Sequence, residues 1–143
     1  MQNVMNSNLI KAKELLVNGE YTCVIVKENT VYTSTERGVK PLLEFLESNT
    51  DLKGCSAADK VVGKAAAFLY VLLGVREIYA SVISESSLEV LKKYGIEISY
   101  GICVKSIRNR ANTGFCPMEQ AVKDTDNPQD ALKLITETLE KFS

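Results

Sequence analysis

The run Ala65 to Val75 is apolar at almost every position, and this restricts the fold more than any other feature of the chain. A helix that is hydrophobic nearly all round must be buried on more than one side. The run is too short to cross a bilayer, and Gly74 supplies a natural stop. Read back from that glycine, the pattern predicts one long central helix from Ala57 to Leu73.

The flanking segments supply the layers around such a helix. Leu9 to Val17 carries an amphipathic stripe of Leu9, Ile10, Leu15 and Leu16 and ends at Asn18-Gly19. Tyr21–Val26 and Thr30–Ser34 are rich in β-formers around a turn signal at Lys27–Asn29, which predicts a hairpin. Val39–Glu47 reads as a short helix with Pro41 in its first turn, and Ser48–Lys53 as a loop. Arg76–Ile83, Ser86–Tyr94 and Ile96–Val104 then form a strand, an amphipathic helix ended by Gly95, and a strand. A right-handed crossover makes those two strands parallel, so their C-terminal ends, near Ser84-Glu85 and Lys105-Ser106, point to one edge, where open α/β sheets bind ligands. The polar stretch Ile107–Met118 reads as a long loop, Glu119–Val122 as a helical turn, and Asn127-Pro128 as the cap and first position of a last helix through Phe142.

Composition bounds the function. With 143 residues, 45% hydrophobic and 24% charged, the chain has the profile of one globular α/β domain spanning residues 1–143. Seventeen basic residues oppose eighteen acidic ones, so no net field draws it to nucleic acid or anionic lipid. The N-terminal residues lack the pattern of a signal peptide, which points to the cytoplasm. Cys23, Cys55, Cys103 and Cys116 form no paired spacing, so reduced thiols are expected, with Cys23 and Cys103 in the core. There is no histidine, which excludes a conventional zinc hydrolase or a His-dependent enzyme; no metal and no cofactor are implied.

Four segments can carry chemistry. Ser56-Ala57-Ala58-Asp59, read as a helix start, offers unsatisfied amides and a positive dipole end to an anion. Ser56, Asp59, Lys60 and Gly63 would share a face, Lys64 would add charge, and Gly63 would admit a close approach; Ser56 with Asp59 is equally a capping box. Ser84-Glu85-Ser86-Ser87 offers a second such start, although Ser86 with Glu89 is also a capping box. Arg108-Asn109-Arg110 and Phe115-Cys116-Pro117-Met118-Glu119 combine fork donors with a thiol and a carboxylate, alongside the plain reading of solvated loop residues. Thr33-Ser34-Thr35-Glu36-Arg37-Gly38 carries hydroxyls and a cation that suit a polar ligand and equally a turn.

Together, Thr33–Gly38, Ser56–Ala66, Ile107–Arg110 and Phe115–Glu119 make the chain similar, over nearly all of its length, to a prokaryotic family of unknown function. That family has a cytidine-deaminase-like fold without the zinc motifs. The resemblance implies a three-layer αβα sandwich with a mixed sheet and a site at the helix N-termini. Deaminases carry a His-x-Glu motif and a Pro-Cys-x-x-Cys motif at those starts. Here the corresponding starts read Ser56-Ala57-Ala58-Asp59 and Ser84-Glu85-Ser86-Ser87, so zinc-dependent deamination does not carry over.

The reading that follows is a pocket for a small anionic or nucleotide-like ligand, held by Ser34, Thr35, Arg37, Ser56, Asp59, Lys60, Gly63, Lys64, Ser84, Glu85, Asn109, Arg110, Cys116 and Met118. One alternative is a metal-free enzyme with Asp59 or Glu119 as acid or base and Lys60, Lys64 or Cys116 as the reactive group. Another is a structural or partner-binding subunit. Homo-oligomerisation is compatible with each of these.

Overall fold

A computed structural model describes residues 4–36, 38–107 and 116–142. Along the chain these form α1 (Val4–Asn18), β1 (Cys23–Lys27), β2 (Thr30–Ser34), α2 (Lys40–Glu47), β3 (Ser56–Val62), α3 (Lys64–Leu73), β4 (Glu77–Ser84), α4 (Glu85–Lys93), β5 (Glu97–Val104), α5 (Pro117–Val122) and α6 (Pro128–Phe142). The strands make one mixed sheet in the order β2-β1-β3-β4-β5. β1 is antiparallel to both β2 and β3, while β3, β4 and β5 run parallel. This is the three-layer α/β arrangement with a mixed sheet that the family resemblance implies.

The expected helix from Ala57 to Leu73 is corrected. Its first six residues, Ala57 to Val62, belong to β3, the central strand, and the helix begins only at Lys64. Alanines and an Asp-Lys pair have little strand propensity of their own, but pairing to β1 on one side and β4 on the other overrides it. Ala57 and Ala58 are fully buried. Their small side chains let helices approach the sheet closely from both faces. On one face Ala58 packs with Ala12 and Leu16 of α1. On the other, Ala57 lies in the main core with Leu42 of α2, Phe68 and Tyr70 of α3, Leu91 of α4 and Ile135 of α6.

α3 is the central helix in the expected sense, with Ala65 to Tyr70 and Leu73 buried, and it ends at Gly74. Its burial removes roughly 1.5–3 kcal/mol worth of exposed apolar surface for each large side chain. Near the ends of β3 and β4 the in-and-out alternation slips by one residue: Ala57 but then Val62, and Ala80 but then Ile83, join the same core. Val62 is thereby turned under α3, and Gly63 follows as the bend from strand to helix. Among the four cysteines, Cys23 and Cys55 are buried but Cys103 is exposed, contrary to its expected place in the core. The reason is that β5 lies at the sheet edge.

Candidate functional site

The three parallel strands end at Val62, Ser84 and Val104 on one edge of the sheet, and α3 and α4 start there. Ser87, fully buried in α4, joins the two helix starts. Its hydroxyl donates to the carbonyl of Val62 at 2.8 Å, and its Oγ accepts from the Ser84 N–H at 3.2 Å. The Ser84 hydroxyl in turn accepts from the Ser87 N–H. The reciprocal cap is therefore Ser84 with Ser87, not Ser86 with Glu89, because the helix begins at Glu85 and its cap residue lies two positions before Ser86. Replacing Ser87 with Ala should remove the buried bonds to the Val62 carbonyl and from the Ser84 amide, costing about 1–3 kcal/mol. A urea titration of Ser87→Ala that matches wild type would show that this link carries no stability.

The start of α3 is not open. Glu119, on the first turn of α5, accepts from the Lys64 N–H at 2.7 Å and from the Ala65 N–H at 2.9 Å. A carboxylate straddling two amides of a first turn satisfies orphan donors and meets the positive end of the helix dipole. Gly63 makes room for it: a Cβ built there would lie 2.5 Å from the Glu119 carboxyl carbon. Burial raises the Glu119 carboxyl above its ordinary value, and the two amides and Lys64 oppose that rise. The Lys64 ammonium donates to the carbonyl of Lys123 at 2.9 Å. Beside this arrangement lies a hollow of about 180 Å³ lined by Lys64, Ser86, Ser106, Glu119, Gln120 and Lys123.

The structure separates residues that the sequence reading grouped. Ser56 begins β3 and donates to buried Glu77 at 2.6 Å, about 20 Å along the strand from Gly63, so it cannot share a pocket with Ser84. It is not a helix start. Asp59 lies in mid-strand and points to α3, where the Tyr70 hydroxyl donates to it at 2.7 Å. Lys60 lines a separate shallow hollow with Leu16 and Val17 of α1, away from Lys64. Ser34 and Thr35 end β2 and follow it, at the outer edge two strands from β3; the Ser34 hydroxyl accepts from the Glu36 amide. Ser84 is fully buried in its cap, and Glu85 is exposed in the first turn of α4. Cys116 is the N-cap residue of α5, its N–H donating to the Ile107 carbonyl at 3.2 Å. Met118 packs on the main core. Arg37, Asn109 and Arg110 fall outside the described residues.

Of the residues expected at the site, Lys64 and Glu119 meet at the hollow, with Gly63 bordering the carboxylate. Ser86, from the second expected helix start, also lines it, as do Ser106, Gln120 and Lys123, which were not among the expected ligand contacts. Ser106 was within reach of sequence reasoning, since it follows the last strand at the predicted edge. Lys123 lies four residues beyond Glu119 on the same helical side, a spacing that carries no site signal by itself.

A second polar cluster lies under α3. The Tyr70 hydroxyl gives its one proton to Asp59, so Cys23, 3.3 Å from the same oxygen, is the donor to Tyr70. Burial is the main cause of the Asp59 carboxyl being pushed up to about 7, against the hydrogen bonds from Tyr70 and the Val61 amide. Burial likewise raises the Cys23 and Tyr70 groups well above their ordinary values. Cys23 and Tyr70 are buried and Asp59 is half-buried, so the network runs from the core to the flank of β3.

Residues 11–139 match the family model described as TM1506, domain of unknown function (DUF1893). The chain belongs to this family. The crystal structure of the DUF1893-family protein TM1506 from Thermotoga maritima superposes with a TM-score of 0.84 at 26% identity, covering 98% of this chain and 93% of that one. Likeness to deaminases is weak. A dCMP deaminase from the cyanophage S-TIM5 gives 0.45 at 13% identity over 70% of this chain and 99% of that one. A diaminohydroxyphosphoribosylaminopyrimidine deaminase/5-amino-6-(5-phosphoribosylamino)uracil reductase from Thermotoga maritima gives 0.43 at 16% identity over 96% and 42%. No curated protein matches the chain. The helix starts of this DUF1893 protein do not fit a zinc ion: Gly63-Lys64-Ala65 and Ser84-Glu85-Ser86-Ser87 provide no thiolate and no imidazole.

Proposed function

We propose that this DUF1893 protein is a binding module for a small anionic ligand, held in the hollow between Lys64, Ser86, Ser106 and Lys123. The observation that carries the reading is the seat of Glu119: a carboxylate already rests on two amides of α3 beside two lysines. The chemistry that favours that carboxylate favours a phosphate or carboxylate group generally. Lys64 and Lys123 outweigh the one carboxylate in formal charge, which leaves the hollow receptive to an anion. About 180 Å³ is below the roughly 300–1,000 Å³ of drug-sized pockets. The hollow therefore takes a small acid, or only the anionic end of something larger such as a nucleotide.

The metal-free enzyme reading has less support. Asp59 is committed to Tyr70 under α3, both Glu119 oxygens are engaged by amides, and Lys60 faces another hollow.

A melting-temperature screen tests the proposal, using inorganic phosphate, small carboxylic acids and nucleoside monophosphates on wild type and on Glu119→Ala. A ligand at a hundred times its dissociation constant adds about 2.7 kcal/mol, a shift of several degrees. Lys64→Ala and Lys123→Ala should abolish it, and Cys116→Ser should preserve it. No shift in either protein at tens of millimolar overturns the proposal.

A further inference from the structure

The outer edge of the sheet at β5 is unlike its other edge. β2 is five residues long and its Val31 and Tyr32 pack into the two cores. β5 is eight residues long and exposed over most of its length, with Tyr100 44% and Ile102 57% accessible and Cys103 open to solvent. Its hydrogen-bonding partner is β4 on one side, and among the described residues none lies on the other. Proteins normally blunt such an edge with charge, proline or a short strand. From Ile98 to Val104 there is no charge and no proline.

The sequence of this strand is complementary to itself when reversed. Turned about Gly101, Glu97 falls opposite Lys105, Ile98 opposite Val104, Ser99 opposite Cys103 and Tyr100 opposite Ile102. Charge meets opposite charge at both ends, and apolar residues meet between them. Among the described residues neither Glu97 nor Lys105 has an ion-pair partner within the chain. An antiparallel pair about a two-fold axis uses the same patch on both copies, which is the condition for a closed dimer. Gly101 has its own reason to be glycine, since a Cβ there would lie 2.7 Å from the Ser81 carbonyl oxygen of β4. Its lack of a side chain also leaves the pivot unobstructed.

We infer that β5 pairs antiparallel with β5 of a second copy, joining two five-stranded sheets into one across a two-fold axis at Gly101. The pairing satisfies the free N–H and C=O groups of both edges and sets the two Glu97–Lys105 pairs. It brings Glu97 of each copy beside Lys105 of the other, one residue from Ser106 at the hollow. The inference is independent of what the hollow binds.

Sedimentation velocity of the full chain over a range of concentrations tests this, with an expected mass at high concentration of twice 15.8 kDa. Glu97→Lys alone and Lys105→Glu alone place like charges opposite each other twice per dimer and should each weaken association about tenfold. The double variant Glu97→Lys/Lys105→Glu restores both pairs and should restore association. Ser99→Cys should give a covalent dimer through Cys103 of the second copy on mild oxidation, because opposed Cα atoms about 4.5–5.5 Å apart suit a disulfide. Within one chain those positions are about 13 Å apart and cannot bridge. A monomer at all concentrations overturns the inference. So does a dimer indifferent to both single charge changes, or a double variant that stays monomeric.

Discussion

Gly63→Ala should unseat the Glu119 carboxylate and destabilise the protein by about 2–3 kcal/mol, the worth of the charge-assisted hydrogen bonds it breaks. The backbone at Gly63 has φ −96°, which any residue adopts, so no strain arises from the alanine itself. In the unfolded chain alanine would even give a small gain in stability. The loss therefore comes from the 2.5 Å approach between the new Cβ and the carboxyl carbon. Because that carboxyl is the far end of a flexible side chain, it is the carboxyl that moves and not the strand. Glu119→Ala should cost about the same, since it removes the same two bonds. The decisive measurement is the double variant in a urea titration. Two substitutions acting through one contact should cost together little more than either alone. Full additivity would mean that Gly63 serves something other than the carboxylate.

Asp59→Asn should change how stability depends on pH. Burial raises the carboxyl from 3.8 to about 7 in the folded protein, so the folded state binds this proton more tightly than the unfolded state does. Its contribution is fully present below about pH 4, is lost as pH rises through about 7, and is constant above that. Asparagine keeps an acceptor for Tyr70 without a charge to bury. Relative to wild type, the variant should be about equally stable at pH 4 and gain with rising pH, by at most about 4 kcal/mol at pH 8. Denaturant titrations at pH 4, 6 and 8 measure that difference. A constant offset between the two proteins across this window would show that Asp59 titrates in its usual range.

Much of this architecture is written in local pattern. The β-formers of Thr30–Ser34 mark that strand to the residue, and the last helix begins where Asn127 caps it through its side chain, which accepts from the amides of Gln129 and Asp130. The central strand was hidden, because Ala57 and Ala58 suit a helix as well as a strand and the apolar run beyond Gly63 extends the helical reading backward. Val61-Val62 followed by Gly63 was the available signal: two β-branched residues and then a break. Ser56, at the start of that strand, therefore lies about 20 Å from the helix start at Lys64. The edge of the sheet survived, because it followed from where the parallel strands end. What no spacing could show is Glu119 on the amide of Lys64, a contact between residues 55 positions apart.

The carboxylate resting on α3 also governs how the site would respond to anything from solution. A group tethered through a short helix is present at an effective concentration of at least millimolar. An incoming acid that needs those two amides must displace a resident that never diffuses away. Weak monovalent acids would fail at cellular concentrations, whereas a ligand that recruits Lys64 and Lys123 together would exchange with it. Release of Glu119 would then free α5 from the start of α3, making the position of that helix a readout of occupancy.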